Sequence, residues 1–188
     1  MVNAAMAPAV APWASGRVGF DNQMEAGLAY TGRSVRVDGR HAFEWERVAL
    51  SVGLGGSVVL AGATEDRAAQ STYVKLEQQR GWGLDLPVLV GWQDRTGIVT
   101  LWTGPRGGFE KLAADVAFPT ENPAKSGDLS ATRWYVGPTA GFAVGFRHVH
   151  AAAEMSAYYQ TVHGTALGAA VSVRGVTLVP AAALKVTF

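Results

Sequence analysis

The chain has 188 residues, of which 48% are hydrophobic and only 16% charged, against roughly 25% charged in ordinary soluble domains. A net charge of +1 and the lack of any cysteine argue against a nucleic-acid partner, a disulfide scaffold and thiolate metal sites. No apolar run reaches the roughly 18 residues of a transmembrane helix.

Residues 1–14 are small and apolar, with Pro8 and Pro12. Without a basic start they make a poor signal peptide. They read as a linker before one domain over residues 15–188, or as a mature N-terminus left when an export signal was removed.

From there period-two alternation dominates and helical periodicity is nearly absent. The first predicted strand covers 16–30, with Val18, Phe20, Met24, Ala26, Leu28 and Tyr30 on one face and Arg17, Asp21, Gln23 and Glu25 on the other. A turn at 31–34 leads to a second strand over 35–43, where Val35, Val37, His41 and Phe43 oppose Arg36, Asp38 and Arg40. A third covers 48–60. Residues 62–80 read as a long polar loop. The fourth strand, 81–93, lines Trp82, Leu84, Leu86, Val88, Val90 and Trp92 against Asp85 and Gln93. A tight turn at 94–97 precedes a fifth strand over 98–103. Residues 104–130, with Pro105, Pro119 and Pro123, read as a second long loop in which a short helix fits 110–116.

The sixth strand, 131–146, groups Trp134, Val136, Pro138, Ala140, Phe142, Val144 and Phe146 opposite Arg133, Tyr135, Thr139 and Arg147. The phase slips near Arg147 and His148, marking a turn or bulge. The seventh strand, 149–161, turns Val149, Met155 and Tyr159 one way and His150, Glu154 and Gln160 the other. A connection of medium length over 163–174 leads to the eighth, 175–188. Its one face is wholly apolar, Lys185 lies on the other, and the sequence ends on Phe188.

The expected fold is all-β: an antiparallel up-and-down transmembrane β-barrel of about eight strands, the last closing on the first. A soluble barrel would put its apolar face inside. Here the polar faces mix Arg with Asp and Glu, carry few lysines and are filled with small residues, as a narrow lumen requires. The expected lumen charges are Glu25, Arg36, Asp38, Arg40, Asp85, Arg133, Arg147, His150, Glu154 and Lys185. Trp82, Trp92, Trp134, Tyr159 and Phe188 fall near strand ends, where aromatics meet a membrane interface. Trp82 and Trp92 are ten residues apart, about 33 Å along a strand at about 3.3 Å per residue. A tilt near 45° reduces this to about 23 Å, close to an apolar band of about 25 Å.

On these features, the terminal aromatic strand, the alternating segments and the aromatic belts, the chain resembles the small outer-membrane β-barrels of Gram-negative bacteria over residues 16–188. The resemblance implies residence in the outer membrane, a lipid bilayer around the barrel, and a barrel-assembly machinery that reads Phe188 as its signal. It also requires an export signal in the precursor.

No catalytic motif is intact. Phe146, Arg147 and His148 invite comparison with outer-membrane lipid A deacylases, whose His-x-Ser-Asn motif finds His150 and Ala151 where Ser and Asn belong, so the nucleophile is missing. His148 and His150 share a face with Glu154 and could approach a metal, but satisfied polar side chains account for them better, and neither metal nor cofactor is expected. The expected role is non-enzymatic: structural, docking or narrow-channel, with another envelope protein met through loops 62–80 and 104–130, which hold Tyr73, Lys75, Glu77, Phe109, Lys111 and Phe118. The alternatives are a soluble or lipid-anchored lipocalin-like barrel binding a small apolar ligand, and a membrane-embedded lipid hydrolase.

Overall fold

The computed structural model describes residues 14–21, 23–30, 34–60, 75–118, 125–146 and 148–186. Among these lie nine strands: β1 (Ala14–Asp21), β2 (Met24–Tyr30), β3 (Ser34–Trp45), β4 (Val48–Val59), β5 (Lys75–Gln93), β6 (Val99–Phe118), β7 (Lys125–Phe146), β8 (Val149–Ala166) and β9 (Ala169–Val186). They form one sheet in up-and-down order, each antiparallel to the next. The all-β class and the up-and-down order agree with the alternation in the sequence. The sheet is not closed, and β1 and β9 are its two edges. Nine alternating strands make these edges run in the same direction. The end where β1 begins is termed the upper end, and β9 finishes at the lower end.

Nine strands replace the expected eight because residues 16–30 are a hairpin, with Asp21 paired to Met24 and Ala14 to Tyr30. A two-residue turn by itself inverts the alternation, but a register shift between Gly19 and Asp21 restores the phase, so the turn leaves no mark in the pattern. Val18, Phe20, Met24, Leu28 and Tyr30 remain exposed on one face. The expected closure of 175–188 on this region is not formed among the described residues.

The loop expected over 104–130 is largely strand. β6 and β7 pair continuously, from Val99 with Val144 through Lys111 with Thr132 to Phe118 with Lys125. The helix fitted to 110–116 is therefore strand. Proline cannot donate to a ladder, which is why Pro105 argues for a loop. In the sheet it stands directly opposite Pro138. The β7–β8 pairing is interrupted beside Pro138, and the β4–β5 pairing beside Pro87. At Gly104 and Gly137, next to two of these prolines, the neighbouring strand comes so close that its carbonyl oxygen occupies the space of a Cβ. Such proline and glycine kinks at mid-height curve a sheet.

Two other connections also shrink. The stretch expected over 163–174 is a turn at Leu167 and Gly168, both in the left-handed region at φ 53° and 79°. That geometry matches the two-residue hairpin turns favoured by strand twist. The loop expected over 62–80 loses residues 75–80 to β5, and its remainder lies outside the described residues.

Candidate functional site

The two faces of the sheet carry opposite chemistry. Over most of its height the solvent-exposed face is apolar: Leu54, Leu84, Val136, Phe142, Leu178 and Leu184 are all exposed, and Val176 is 71% exposed. The other face hides its polar groups, with Asp85 at 6% and Thr139 and Ser156 at 2%. A protein folded in water distributes these groups the other way round.

The register explains how charges fit on the hidden face. One row of paired residues crosses the whole sheet: Arg17, Gly27, Asp38, Gly55, Asp85, Gly108, Tyr135, Gln160 and Gly175 on successive strands. From β1 to β7 a polar side chain alternates with glycine. Each glycine is a gap over which its two neighbours meet. A Cβ on Gly55 would lie 2.5 Å from both Arg36 and Asp85, and one on Gly108 2.5 Å from the Tyr135 ring.

The gaps join the charges into one alternating chain. Arg40 pairs with Glu25 at 3.7 Å and Glu25 with Arg17 at 3.6 Å. Arg17 reaches over Gly27 to donate to Asp38 at 2.7 Å, and Arg36 approaches the other Asp38 oxygen at 3.5 Å. Arg36 then crosses Gly55 to donate to Asp85 at 2.9 Å, and Arg106 pairs with Asp85 at 3.0 Å. A separate pair, Arg133 with Glu110 at 3.1 Å, stacks its guanidinium 4.9 Å over the Tyr135 ring. Trp102 donates its indole N–H to Glu154 at 2.8 Å. Thr139 and Ser156 share a buried hydroxyl hydrogen bond of 2.6 Å. Buried charge is tolerated only when it is paired in this way.

Of the lumen residues named from the sequence, Glu25, Arg36, Asp38, Arg40 and Asp85 meet in this chain, while Arg133 and Glu154 belong to the two smaller clusters. His150 stands apart near the lower end, its Nε2 3.4 Å from the Gly97 carbonyl oxygen. Lys185, its register partner on β9, is exposed and joins no ion pair among the described residues. Arg147 lies outside the described residues. Arg17, Arg106, Glu110 and Trp102 complete the network without having been singled out. Arg17 already alternates in phase with Glu25. Arg106 and Glu110 follow the even-numbered phase of Trp102, a signal masked by the proline and glycines around them.

On the exposed face the aromatics form two rows. Trp82, Phe109 and Trp134 touch in sequence across β5 to β7, with ring centroids 5.2 and 4.6 Å apart, and Tyr159 on β8 lies two strand positions below Trp134's register partner, Thr161. Nearer the lower end stand Phe43, Trp45, Trp92 and Phe146, all exposed. Phe188 lies outside the described residues.

Above the upper aromatic row the chemistry reverses. The outer positions become Lys111, Asp128, Thr132, His163, Ser172 and Arg174, with the Ser130 and Thr165 hydroxyls 2.9 Å apart and Ser172 3.1 Å from His163. The inner positions become Leu112, Ala114, Val116, Leu129 and Val162, of which Ala114, Val116 and Val162 are buried. On the apolar face just below the row, a depression of about 480 Å³ is lined by Leu54, Leu84, Leu86, Gly107, Phe109 and Trp134, among others.

No protein-family model, no curated protein and no solved structure matches the chain.

Proposed function

We propose that this chain is a β-barrel of the outer membrane of a Gram-negative bacterium, non-enzymatic, whose sealed lumen makes it a structural or docking element. One observation carries the reading: a band of exposed apolar side chains, bounded by two aromatic rows, backs onto a face of buried, mutually neutralised charge. Lipid favours that arrangement and water opposes it. A lipocalin-like barrel would need the reverse through its whole height.

The paired charges support a plug over a pore. Arginines and carboxylates that neutralise one another across the inner face leave little drive for an ion to enter. In a bilayer the edges of β1 and β9 need partners, because no water satisfies them there. Both run the same way, so their mutual pairing is parallel. This departs from the even strand number common in bacterial barrels.

The test is reconstitution. The purified full chain is expected to need detergent, to insert into phospholipid vesicles, and to show tryptophan fluorescence quenched by lipids brominated along their chains. It is expected to give no steady conductance in a planar bilayer. A chain that stays monodisperse without detergent overturns the membrane reading, and a large steady conductance overturns the plug.

A further inference from the structure

The outer face of β5 and β6 joins two features that the barrel reading does not use. One is the depression at Gly107. It is an open trough of about 480 Å³. It exists because Gly107, paired with Leu86 on one side and Val136 on the other, has no side chain in an otherwise bulky apolar surface. The other feature is a pair of cations directly above. Lys111 follows Phe109 by two positions on the same face, and Arg80 precedes Trp82 by two. Trp82 pairs with Lys111 and Arg80 with Ala113, so the two cations occupy diagonal positions, roughly 7–8 Å apart. Both are exposed, and neither has an ion-pair partner among the described residues. The nearest acids of that face on β6 and β7 are Asp115, four positions above Lys111 and diagonal to Arg80 on the side away from the depression, and its register partner Asp128. The hydroxyl-bearing Thr132 is the register partner of Lys111.

We propose that this surface is a seat for one anionic phospholipid. An acyl chain lies in the depression at Gly107, between Leu84, Leu86 and Trp134, and the phosphate is held by Arg80 and Lys111 just above the aromatic row. The inference rests on the barrel reading. Charge complementarity selects the occupant: cations without an ion-pair partner among the described residues, at the border of an apolar slot, fit a ligand with a negative head and an apolar tail. A zwitterionic lipid has the same phosphate, but its own cation would face Arg80 and Lys111.

The experiment uses the full chain in phosphatidylcholine vesicles, titrated with chain-brominated phosphatidylglycerol or chain-brominated phosphatidylcholine, with tryptophan quenching as the readout. Phosphatidylglycerol is expected to win by roughly fivefold or more, the scale of one basic residue at an anionic membrane surface. The double variant Arg80→Glu with Lys111→Glu is expected to abolish the preference, and Arg80→Gln with Lys111→Gln to do so with less disturbance. Gly107→Leu fills the slot and is expected to weaken quenching at this site, since a Cβ there meets nothing closer than 3.4 Å. Equal affinity for the two lipids, or a preference that survives both double variants, overturns the seat. So does full competition by inorganic phosphate, which would make the site one for the free anion. Quenching by both lipids without preference leaves the barrel reading standing. No quenching by either removes that reading and the seat together.

Discussion

Strands β6 to β9 each carry two regions of opposite polarity, and the backbone phase does not slip between them. In β7, Trp134, Val136, Phe142 and Phe146 face outward, while Thr132 and Asp128 occupy the same face higher up. In β8, Ser156, Tyr158 and Gln160 face inward, and two positions above them Val162 takes that face and is buried. The pleat is continuous, so the exchange lies in the choice of residues and not in a bulge. Sheet geometry fixes which residues share a face. The surroundings decide which face is apolar, and they change at the row formed by Trp82, Phe109 and Trp134. Below that row, in the proposed setting, hydrocarbon lies outside. Above it, water does, and the strands revert to the ordinary distribution of a sheet in water.

The largest effect is expected from breaking the lower region at its inner face. Asp85 holds both Arg36 and Arg106. Asp85→Ala strands the half-buried Arg106 guanidinium and leaves Arg36 only its 3.5 Å contact with Asp38, and loss of one partner from a buried pair costs about 3–5 kcal/mol. Urea unfolding of vesicle-inserted protein should register the full loss. A change below about 1 kcal/mol, the scale of exposed pairs, would show that the network is solvated and not a plug.

Next in size is a comparison between regions on one strand and one face. Val136→Arg places a charge in the apolar band, whereas Thr132→Arg places it four positions higher. In a bilayer the first is expected to cost about 2–4 kcal/mol and the second about 0–1 kcal/mol. Equal costs would erase the boundary at the aromatic row. The inner face gives a smaller converse test. Val116→Asn buries an amide beside Ala114 on the apolar upper part of that face and should cost about 1–3 kcal/mol. Gln160→Asn, on the polar part of the same face, should cost far less.

These differences also mark what the sequence made legible. Alternation revealed the all-β class, and it kept Val18, Leu28, Val136 and Leu178 in one apolar set even where the strand boundaries were misread. The hairpin at Asp21 and Met24 stayed hidden because the register shift between Gly19 and Asp21 offsets the phase change of its two-residue turn. The upper parts of β6 and β7 stayed hidden for two reasons. Pro105 and its neighbouring glycines are turn signals wherever no partner strand is known. The polarity then exchanges at Lys111, so a search for one continuous apolar face stops there. The row of alternating charge and glycine was beyond reach for a different cause. Gly27, Gly55 and Gly108 are far apart in sequence, and only the register reveals that each lies beneath a pair of meeting side chains.

The smallest effect is expected at the lower end, where the turn between β5 and β6 depends on one carboxylate. Asp94 accepts hydrogen bonds from the Thr96 hydroxyl and, at 3.3 Å, the Thr96 amide, and from the Val99 amide at 2.9 Å. These bonds, the Thr96 hydroxyl first and the Val99 amide next, hold its pKa below the ordinary aspartate value of 3.8. A folded-state pKa below the unfolded one adds stability above the unfolded value and loses it as pH falls through the folded one. The turn should therefore be indifferent to pH between 7 and about 5 and loosen only below about pH 4, where ordinary aspartates begin to protonate. Hydrogen-exchange protection of the Val99 amide should follow that curve, and Asp94→Ala should lower it above about pH 4 and flatten the curve. The upper turn at Leu167 and Gly168 is set by left-handed backbone at both residues and by the Leu167 amide donating to the Asp128 carbonyl oxygen at 3.1 Å. Among the described residues no carboxylate takes part, so its protection should not change with acid. If both turns loosened together, the cause would be global unfolding and not the Asp94 cap.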